Sequence, residues 1–318
     1  MPKVTFGGQS YECGDQSVLD CLTAHGVSIP SSCHSGVCQT CMMRAVSGEV
    51  PEQARSGLKL TLAAQHYFLA CSCFPPEDME VMLPEHGLTT LAATVKGVEK
   101  LSADILEIKI QPSRPLEYRA GQFISFFRDE TTSRCYSLAS VPALDDELFL
   151  HVRKIPGGLV SGWLFANLKA GDAITISEAH GDCFYVPGKP LQNILLIGTG
   201  SGLAPLYGII RDALLNGHQG RICLYHGSYN IEGLYLVQEL RKLAQAHPNF
   251  SYTPCVSEGA AADGYTPGMV LDVALAANPA LSGWRVFLCG NPDMVKAAQQ
   301  ETYLAGASLQ EIFADPFD

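Results

Sequence analysis

The sequence predicts three consecutive domains: a small α+β domain, an antiparallel β-barrel, and an α/β domain with a parallel sheet. Three observations predict this order. Short strand signals surround one helix and a cysteine-rich loop in residues 1–85. Strand signals separated by turn residues dominate residues 91–187, and apolar strands alternate with helical patterns in residues 188–318. These patterns of predicted elements are typical of a mixed α+β domain, a β-barrel and a parallel sheet covered by helices, respectively.

The composition is that of a globular chain. It has 318 residues, of which 47% are hydrophobic and 17% charged, and this excludes a disordered chain or a single ordinary core. The net charge of −11 argues against nucleic-acid binding. The sequence shows neither an apolar run of about 20 residues, as a membrane span needs, nor a signal-peptide pattern. With twelve cysteines, we expect a cytoplasmic protein whose thiols are free or metal-bound.

The first domain begins with a predicted hairpin around a Gly-Gly turn and a helix from Asp15 to His25 that Asp15 caps. The segment 1–85 holds four basic and nine acidic side chains, the most uneven balance in the chain. Such a negative face either steers docking to a basic partner or is an ordinary soluble surface. The predicted strands are Val4–Phe6, Ser10–Cys13, Cys41–Val46 and Met79–Leu83.

Four cysteines of this domain have the spacing of metal ligands. Cys33, Cys38 and Cys41 form a C-x4-C-x2-C run in a Gly/Ser loop, and Cys71 follows 30 positions later. This is the spacing of a plant-type [2Fe–2S] cluster, which we therefore expect here. A zinc site, which favours two C-x2-C or Cys/His pairs, and buried free cysteines are the alternatives. Cys73 follows Cys71 in a strand-like segment, faces the opposite way and is not an expected ligand.

The second domain follows a Pro- and Gly-punctuated linker at residues 84–88. One helix, Gly158 to Leu168, interrupts its strands. The strands are expected at Ala93–Val98, Ile105–Ile110, Gln122–Phe127, Leu148–Arg153 and Ala173–Glu178.

The third domain has four predicted strands alternating with four predicted helices. The strands are Asn193–Ile197, Ile222–His226, Ser251–Val256 and Val286–Cys289. The helices are Pro205–Asn216, Tyr235–Ala246, Val270–Ala277 and Met294–Ala305.

A glycine-rich run follows the first of these strands. Gly198, Gly200 and Gly202 alternate, and Pro205 opens the next helix. Glycines let a pyrophosphate approach the backbone, and the helix N-terminus favours its negative charge. A tight strand-to-helix turn explains the run nearly as well by itself. Because Gly290 also follows a strand, we expect both glycine-bearing strand ends to face one crevice.

Two further motifs complete a pattern, the R-x-Y-S of Arg134, Tyr136 and Ser137 and the C-G-x-P that ends at Pro292. With them the whole chain resembles the ferredoxin–NAD(P)⁺ reductase superfamily, in the form with an N-terminal plant-type ferredoxin domain. Reductase components of multicomponent oxygenases have this layout. The resemblance implies a β-grasp ferredoxin domain, an antiparallel flavin-binding β-barrel and a parallel-sheet nucleotide-binding domain.

The resemblance also implies flavin contacts. Tyr136 and Ser137 would touch the flavin, with the Ser137 hydroxyl near its N5 atom. Arg134 would pair with the pyrophosphate through its fork of N–H groups. In this family the motif usually accompanies FAD and less often FMN. The other implied flavin-binding residues are His151, Val152, Arg153, Gly158 and Ser161.

The resemblance places nicotinamide dinucleotide at the glycine-rich strand ends, with Cys289 beside the hydride-transfer pair. The implied binding residues are Gly198, Thr199, Gly200, Pro205 and Gly290. NADPH-specific relatives place Arg or Lys after the next strand, whereas this chain has Ser228, Tyr229 and Asn230. We therefore expect NADH rather than NADPH.

Relatives end with an aromatic residue that covers the flavin, often with an acid two positions earlier. Asp315 and Phe317 fit this pattern, and so do Glu311 and Phe313. We prefer Phe317 because residues 312–314 have the pattern of the closing strand.

These motifs imply an enzyme that takes hydride from NADH to FAD and passes single electrons through the cluster. The expected acceptor is a terminal oxygenase of the Rieske or diiron type, or another electron-acceptor protein. A reductase for a deoxysugar dehydratase is an alternative. A non-catalytic iron–sulfur carrier or redox sensor is an alternative of another class.

Overall fold

The computed structural model describes residues 2–31, 39, 41–84, 90–129, 132–258 and 263–317. The chain divides into two compact units, Met1–Leu88 and Thr89–Asp318. Within the described residues, none of the helices has both the length and the apolar character needed to cross a membrane.

The first unit is a five-stranded sheet with one principal helix. Its elements are β1 (Lys3–Phe6), β2 (Gln9–Glu12), α1 (Val18–Ala24), β3 (Met42–Ser47), α2 (Leu60–Ala64), β4 (Tyr67–Leu69) and β5 (Met79–Met82). The sheet order is β2-β1-β5-β3-β4, with β1 parallel to β5 and the other pairs antiparallel. Gly7 and Gly8 both have positive φ, 60° and 80°, which matches the tight hairpin turn expected there.

The helix α1 begins later than expected, because Ser17 and not Asp15 is its N-cap. The Ser17 Oγ accepts a hydrogen bond of 3.1 Å from the Asp20 N–H. Asp15 lies within a turn in which the Gln16 N–H donates to the Cys13 carbonyl, so it precedes the helix. Serine and aspartate are comparable caps, and the sequence alone did not separate them.

Cys13 and Cys21 form a disulfide, with their Cα atoms 5.1 Å apart. The expectation that all thiols are free or metal-bound was therefore wrong for this pair. The chain turns back after β2, so α1 sets Cys21 beside the end of that strand. The eight remaining cysteines among the described residues are free.

The segment around Cys71 is also not strand-like. Residues Ala70–Ser72 form a single turn of 3₁₀ helix after β4. Cys73 is fully buried behind this turn, and its carbonyl accepts a hydrogen bond from the Val18 N–H that opens α1. Cys73 therefore packs in the core because it follows a 3₁₀ turn, and not because side chains alternate along a strand, as we expected.

The second unit begins with a six-stranded antiparallel sheet. Its elements are β6 (Thr90–Lys100), β7 (Ile105–Pro112), β8 (Phe123–Phe127), β9 (Ser133–Ser137), β10 (Leu148–Arg153), α3 (Leu159–Asn167) and β11 (Ala173–Ser177). The order is β10-β7-β6-β11-β8-β9, and a bridge between Leu138 and Leu150 joins the two edges into a barrel. β9, which carries the R-x-Y-S motif, was not expected as a strand.

A six-stranded parallel sheet with helices completes this unit. Its elements are β12 (Ile194–Thr199), α4 (Leu203–Leu215), β13 (Ile222–Ser228), α5 (Val237–Ala246), β14 (Phe250–Val256), β15 (Thr266–Pro267), α6 (Val270–Ala277), β16 (Arg285–Gly290), α7 (Pro292–Leu304) and β17 (Ile312–Pro316). The order is β15-β14-β13-β12-β16-β17, and every pairing is parallel. Because β12 and β16 are covered on both faces, they read as continuous apolar runs.

We expect the Cys13–Cys21 disulfide to stabilise α1 by about 2 kcal/mol, since it closes a short loop in the unfolded chain. A Cys21→Ala variant should therefore show faster amide hydrogen exchange in Val18–Ala24 than the wild type under non-reducing conditions.

Adding dithiothreitol supplies the matched control, because the wild type should then exchange like the variant. Peptide mapping without reductant should recover the Cys13 and Cys21 peptides joined. Separate peptides together with equal exchange in both proteins would contradict the disulfide.

Candidate functional site

The two glycine-bearing strand ends meet in the middle of the parallel sheet. β12 and β16 are paired neighbours, with Gly198 opposite Cys289. The chain leaves β12 toward β13 on one side and returns through β16 on the other. Such a reversal of strand order opens a crevice at the carboxyl ends of the strands, where ligands bind in open α/β sheets.

Glycine is required at this crevice because backbone packs directly on backbone. A Cβ on Gly202 would overlap the Cys289 carbonyl, and a Cβ on Gly290 would lie 2.6 Å from the Thr199 carbonyl oxygen. Gly200 and Gly290 also have positive φ, 54° and 118°. α4 follows with Gly202 as an N-cap that makes no side-chain hydrogen bond, so its first N–H groups suit an anionic ligand.

The Ser137 hydroxyl, at the end of β9, donates a hydrogen bond of 2.9 Å to Asp315 Oδ2 in β17. Residues 178 positions apart therefore join the barrel to the parallel sheet at the crevice. Burial raises the pKa of Asp315 to about 6, Asp182 also raises it, and the hydrogen bond from Ser137 lowers it. A carboxyl that titrates near neutral pH beside an ordered hydroxyl is typical of functional sites.

Cys289 lies next to this carboxyl in the sheet register, opposite Asp315. Its side chain is fully buried, and its Sγ atom is 3.8 Å from the Sγ atom of Cys183. Burial, followed by the Cys183 thiol, raises the pKa of Cys289 well above that of a free thiol. Cys289 therefore stays protonated at neutral pH and is not an activated nucleophile.

The structure separates the two candidate C-terminal aromatics. Phe313 is fully buried and stacks on Phe287, with ring centroids 5.2 Å apart, so it belongs to the core. Phe317 is half-buried, and its N–H donates a hydrogen bond of 2.8 Å to the Gly290 carbonyl. This bond leaves Phe317, and not Phe313, at the crevice. Glu311 instead pairs with Arg285 and Lys189.

The barrel contributes a second group of implied ligands. Arg134 is exposed on β9, and one of its N–H groups donates to the Ser133 carbonyl. Tyr136 is half-buried, and its pKa is raised by burial. Gly158 is the N-cap of α3 and makes no side-chain capping bond. The Ser161 Oγ accepts a hydrogen bond of 3.1 Å from the Ile155 N–H and thereby shapes the turn into α3.

The residue after β8 connects the β8–β9 pair to the start of α3, because an Arg128 N–H donates to the Leu159 carbonyl at 3.3 Å. The helix start therefore lies near the strand pair that carries Arg134. The exposed guanidinium groups of this strand pair, together with the uncapped N-terminus of α3, fit the pyrophosphate of a flavin dinucleotide.

Three neighbouring residues of β10 have different surroundings. Val152 is buried in the barrel core. Arg153 is exposed, donates to Asp104 at 3.0 Å and lies over Gly200. The His151 side chain is fully buried and faces Tyr235 rather than an open surface.

Two of the four implied cluster ligands are among the described residues. The Ala70 N–H donates to the Cys41 carbonyl at 3.1 Å, so Cys41 and Cys71 meet at one end of the β3–β4 pair. Burial and the Cys71 thiol raise the pKa of Cys41 to about 11, while hydrogen bonds from the backbone oppose the rise. Two facing thiols fit half of a four-thiolate site. Cys33 and Cys38 lie outside the described residues.

The structure thus brings Ser137, Cys289, Asp315 and Phe317 together from three separate motifs. It also adds two residues that sequence reasoning missed. Cys183 reaches Cys289 from the segment between the two sheets, and no motif marks it. Glu258 follows β14, and its N–H donates a hydrogen bond of 2.9 Å to the carbonyl of Tyr229, the residue after β13. The nearby Glu258 carboxylate raises the pKa of Tyr229. Both contacts join residues that are distant in the sequence, so only the folded structure reveals them.

Three family profiles match the sequence in succession. They are described as "2Fe-2S iron-sulfur cluster binding domain" over residues 4–76, "Oxidoreductase FAD-binding domain" over residues 92–185 and "Oxidoreductase NAD-binding domain" over residues 196–300. The family resemblance, the fold class and the expected cofactors, a [2Fe–2S] cluster, FAD and a nicotinamide dinucleotide, are thereby confirmed.

Curated relatives share this layout. The reductase component of a naphthalene 1,2-dioxygenase system from Pseudomonas putida is 33% identical, covering 95% of this chain and 93% of the relative. The reductase subunit of an aromatic O-demethylase from Amycolatopsis is 35% identical, covering 92% of each chain.

Solved structures agree with these relatives. An Amycolatopsis cytochrome P450 reductase matches with a TM-score of 0.70 at 33% identity, over 100% of this chain and 99% of its own. A ferredoxin reductase of carbazole 1,9a-dioxygenase matches with a TM-score of 0.65 at 25% identity, over 100% and 98%.

We expect Asp315 to make the stability of the second unit depend on pH. Its pKa is about 6 in the folded chain and about 3.9 in an unfolded one. The folded state therefore holds the proton more tightly, and the contribution of Asp315 to the free energy of unfolding falls as pH rises from about 4 to about 6.

An Asp315→Asn variant lacks this titration. The difference in urea midpoint between wild type and variant should change between about pH 4 and 6 and be constant at higher pH. A difference that stays constant across the whole range would rule out a raised pKa at Asp315.

Proposed function

Because the chain belongs to the ferredoxin–NAD(P)⁺ reductase family, in the form with an N-terminal [2Fe–2S] domain, we propose that it supplies a terminal oxygenase with electrons from NADH. The chain is an oxidoreductase with cluster-, FAD- and NAD-binding domains. We assign them to residues 1–85, 91–187 and 188–318. The observation that carries the proposal is the Ser137–Asp315 hydrogen bond beside Cys289 at the crevice of the sheet.

When bound, NADH supplies a hydride, FAD divides that electron pair, and the [2Fe–2S] cluster accepts one electron at a time. The residues of the chain position these groups. We propose that Ser137 donates its hydrogen bond near flavin N5, with Asp315 fixing the hydroxyl. Cys289 and Phe317 flank the same place, where they exclude water from the reacting atoms.

We propose that flavin binding uses β9 and the start of α3. Arg134 offers a planar fork to the pyrophosphate, and the N–H groups after Gly158 add the positive end of the helix. Tyr136 stays protonated, because burial raises its pKa, and so presents a neutral hydroxyl to the ribityl region. Val152 contributes through its backbone, since its side chain is in the barrel core.

We propose that NADH is preferred over NADPH. The residues after β13 are Ser228, Tyr229 and Asn230, none of which carries a positive charge. The structure adds Glu258, whose N–H donates to the Tyr229 carbonyl at 2.9 Å and whose carboxylate raises the pKa of Tyr229. An acid at this strand end accepts a hydrogen bond from a ribose hydroxyl and repels a 2′-phosphate.

We propose that Cys33, Cys38, Cys41 and Cys71 hold the cluster. The support is the contact between Cys41 and Cys71, together with the family match over residues 4–76. Their thiols must lose protons to bind iron, and the irons supply the positive charge that overcomes the effect of burial on the Cys41 pKa.

The acceptor is proposed from the relatives. They are named as reductases of a dioxygenase system, an O-demethylase and a phenol 2-monooxygenase, and a solved relative is a cytochrome P450 reductase. The sequence predicts a Rieske or diiron oxygenase as the acceptor. The solved relative adds a haem oxygenase as a third candidate. We propose a cytoplasmic location, because eight cysteines among the described residues are free thiols, which persist in a reducing compartment. The Cys13–Cys21 disulfide is the feature that argues against it.

Anaerobic titration with NADH tests electron transfer. We expect flavin absorbance to bleach and a reduced-cluster signal to appear in electron paramagnetic resonance. In a Cys71→Ala variant, NADH should still reduce ferricyanide within about twofold of the wild-type rate, because a small acceptor takes electrons from the flavin. Reduction of cytochrome c should fall at least about tenfold, because the cluster is lost.

Cys73→Ala is the matched control, since Cys73 is two residues away and buried in the core. It should keep the cluster signal and both activities. Loss of the signal in Cys73→Ala with retention in Cys71→Ala would reverse the ligand assignment. Absence of a cluster signal in the NADH-treated wild type would sink the proposed function.

Glu258 should limit the use of NADPH. Removing its charge in Glu258→Gln should raise kcat/KM for NADPH roughly tenfold, as expected for relief of one like-charge contact, and should change kcat/KM for NADH less. Steady-state kinetics with both dinucleotides measure this ratio. Glu301→Gln, an exposed position on α7, is the control. An unchanged ratio in Glu258→Gln would remove Glu258 from the specificity site.

A further inference from the structure

A buried polar cluster lies between the barrel and the parallel sheet. It consists of Glu107 in β7, His151 in β10 and Tyr235 in the segment before α5. His151 and Glu107 are register partners, with Nε2 3.5 Å from Glu107 Oε2. On the other side of its ring, His151 Nδ1 lies 3.2 Å from the Tyr235 hydroxyl. His151 and Tyr235 are both almost completely buried, although each carries polar atoms.

The two groups on either side of the His151 ring have defined protonation states. His151 and Lys109 lower the pKa of Glu107 and together outweigh its burial, so Glu107 is an anion that only accepts hydrogen bonds. Burial raises the pKa of Tyr235 well above its usual value, so its hydroxyl keeps its proton. The His151 ring thus lies between a carboxylate that only accepts hydrogen bonds and a hydroxyl that keeps its proton.

Tyr235 also extends the cluster to the glycine turn. Its ring meets the His226 ring edge-on, with centroids 5.6 Å apart. His226 is fully buried, interacts with the Gly200 backbone and stays neutral because burial lowers its pKa to about 4. From the barrel side, Arg153 lies over the same Gly200. The Gly200 turn is thus contacted from two sides, directly by Arg153 of β10 and, through Tyr235 and His226, by His151 of β10.

We propose that Glu107, His151 and Tyr235 form a positioning network, which sets the turn Thr199–Gly202 at the distance from the flavin-binding strands that hydride transfer requires. This role rests on the proposed function. The three residues act through the turn and do not touch the dinucleotide. A hydroxyl–imidazole–carboxylate chain suits this task, because a buried polar group has few alternative partners and so resists small displacements.

The test is a Tyr235→Phe variant of the FAD-loaded protein, which keeps the ring packed on His226 and removes only the hydroxyl. We expect NADH-driven flavin bleaching in stopped flow to slow about tenfold, since small misplacements cost large factors in rate. Flavin content should stay at the wild-type level. Amide hydrogen exchange in residues 196–203 should accelerate, with exchange in the β6–β11 barrel sheet unchanged.

Three further variants separate positioning from general damage. His151→Asn places an amide near the Nδ1 position and should retain much of the wild-type rate of flavin bleaching. His151→Leu lacks a polar group and should be slow. Tyr252→Phe removes another tyrosine hydroxyl, which is partly buried and 3.5 Å from His226 Nδ1, and should leave rate and exchange near wild type.

The exchange measurement needs no turnover, so it decides the inference even if NADH does not reduce the wild-type protein. Wild-type exchange in residues 196–203 of Tyr235→Phe would overturn the network, whatever the kinetics show. Faster exchange confined to those residues supports it. Faster exchange throughout both sheets would also overturn it, because the hydroxyl would then stabilise the whole unit rather than the turn.

Discussion

The contact between the two central strand ends is the constraint on which the site depends. The turn after β12 and the end of β16 approach so closely that neither Gly202 nor Gly290 has space for a side chain. Because the backbones touch, the N–H groups of the α4 start and the Cys289 carbonyl are held by the sheet itself. Loops are usually mobile, but here the strands fix the loop geometry.

The other features of the site are arranged around that contact. β17 pairs with β16, so Asp315 lies beside Cys289, and the Phe317 N–H is bonded to Gly290. The barrel reaches the same place through Ser137. A flavin on the barrel and a nicotinamide on the sheet would therefore meet where buried polar groups are already satisfied, so little reorganisation is needed when they react.

The sequence was sufficient wherever the signal was local. The cysteine spacing, the alternate glycines and the R-x-Y-S motif each lie within a few residues, and the four predicted strands of the parallel sheet were found within about three residues at each end. Local rules failed at the start of α1, where Ser17 and Asp15 are equally good caps. They also missed β9, whose charged and polar residues lack the apolar alternation of a strand.

What the sequence could not show were pairings between distant residues. Cys13 meets Cys21 because a turn folds back, and Cys183, in the segment between the two sheets, meets Cys289 in β16. Glu258 reaches Tyr229 only because β14 lies beside β13, and Tyr235 reaches His151 only because the barrel packs there. These contacts depend on strand order and on packing between sheets, which no single stretch of sequence encodes.

The Ser137–Asp315 hydrogen bond also bears on how the protein can be divided. A cut between the barrel and the parallel sheet would separate this pair, and with it the Arg211–Asp145 ion pair that joins α4 to the loop before β10. Each fragment would expose apolar surface and lose partners for charged or hydroxyl groups. The second unit, Thr89–Asp318, is therefore best expressed undivided, whereas the first unit, Met1–Leu88, has its own core and is the natural piece to exchange in chimaeras.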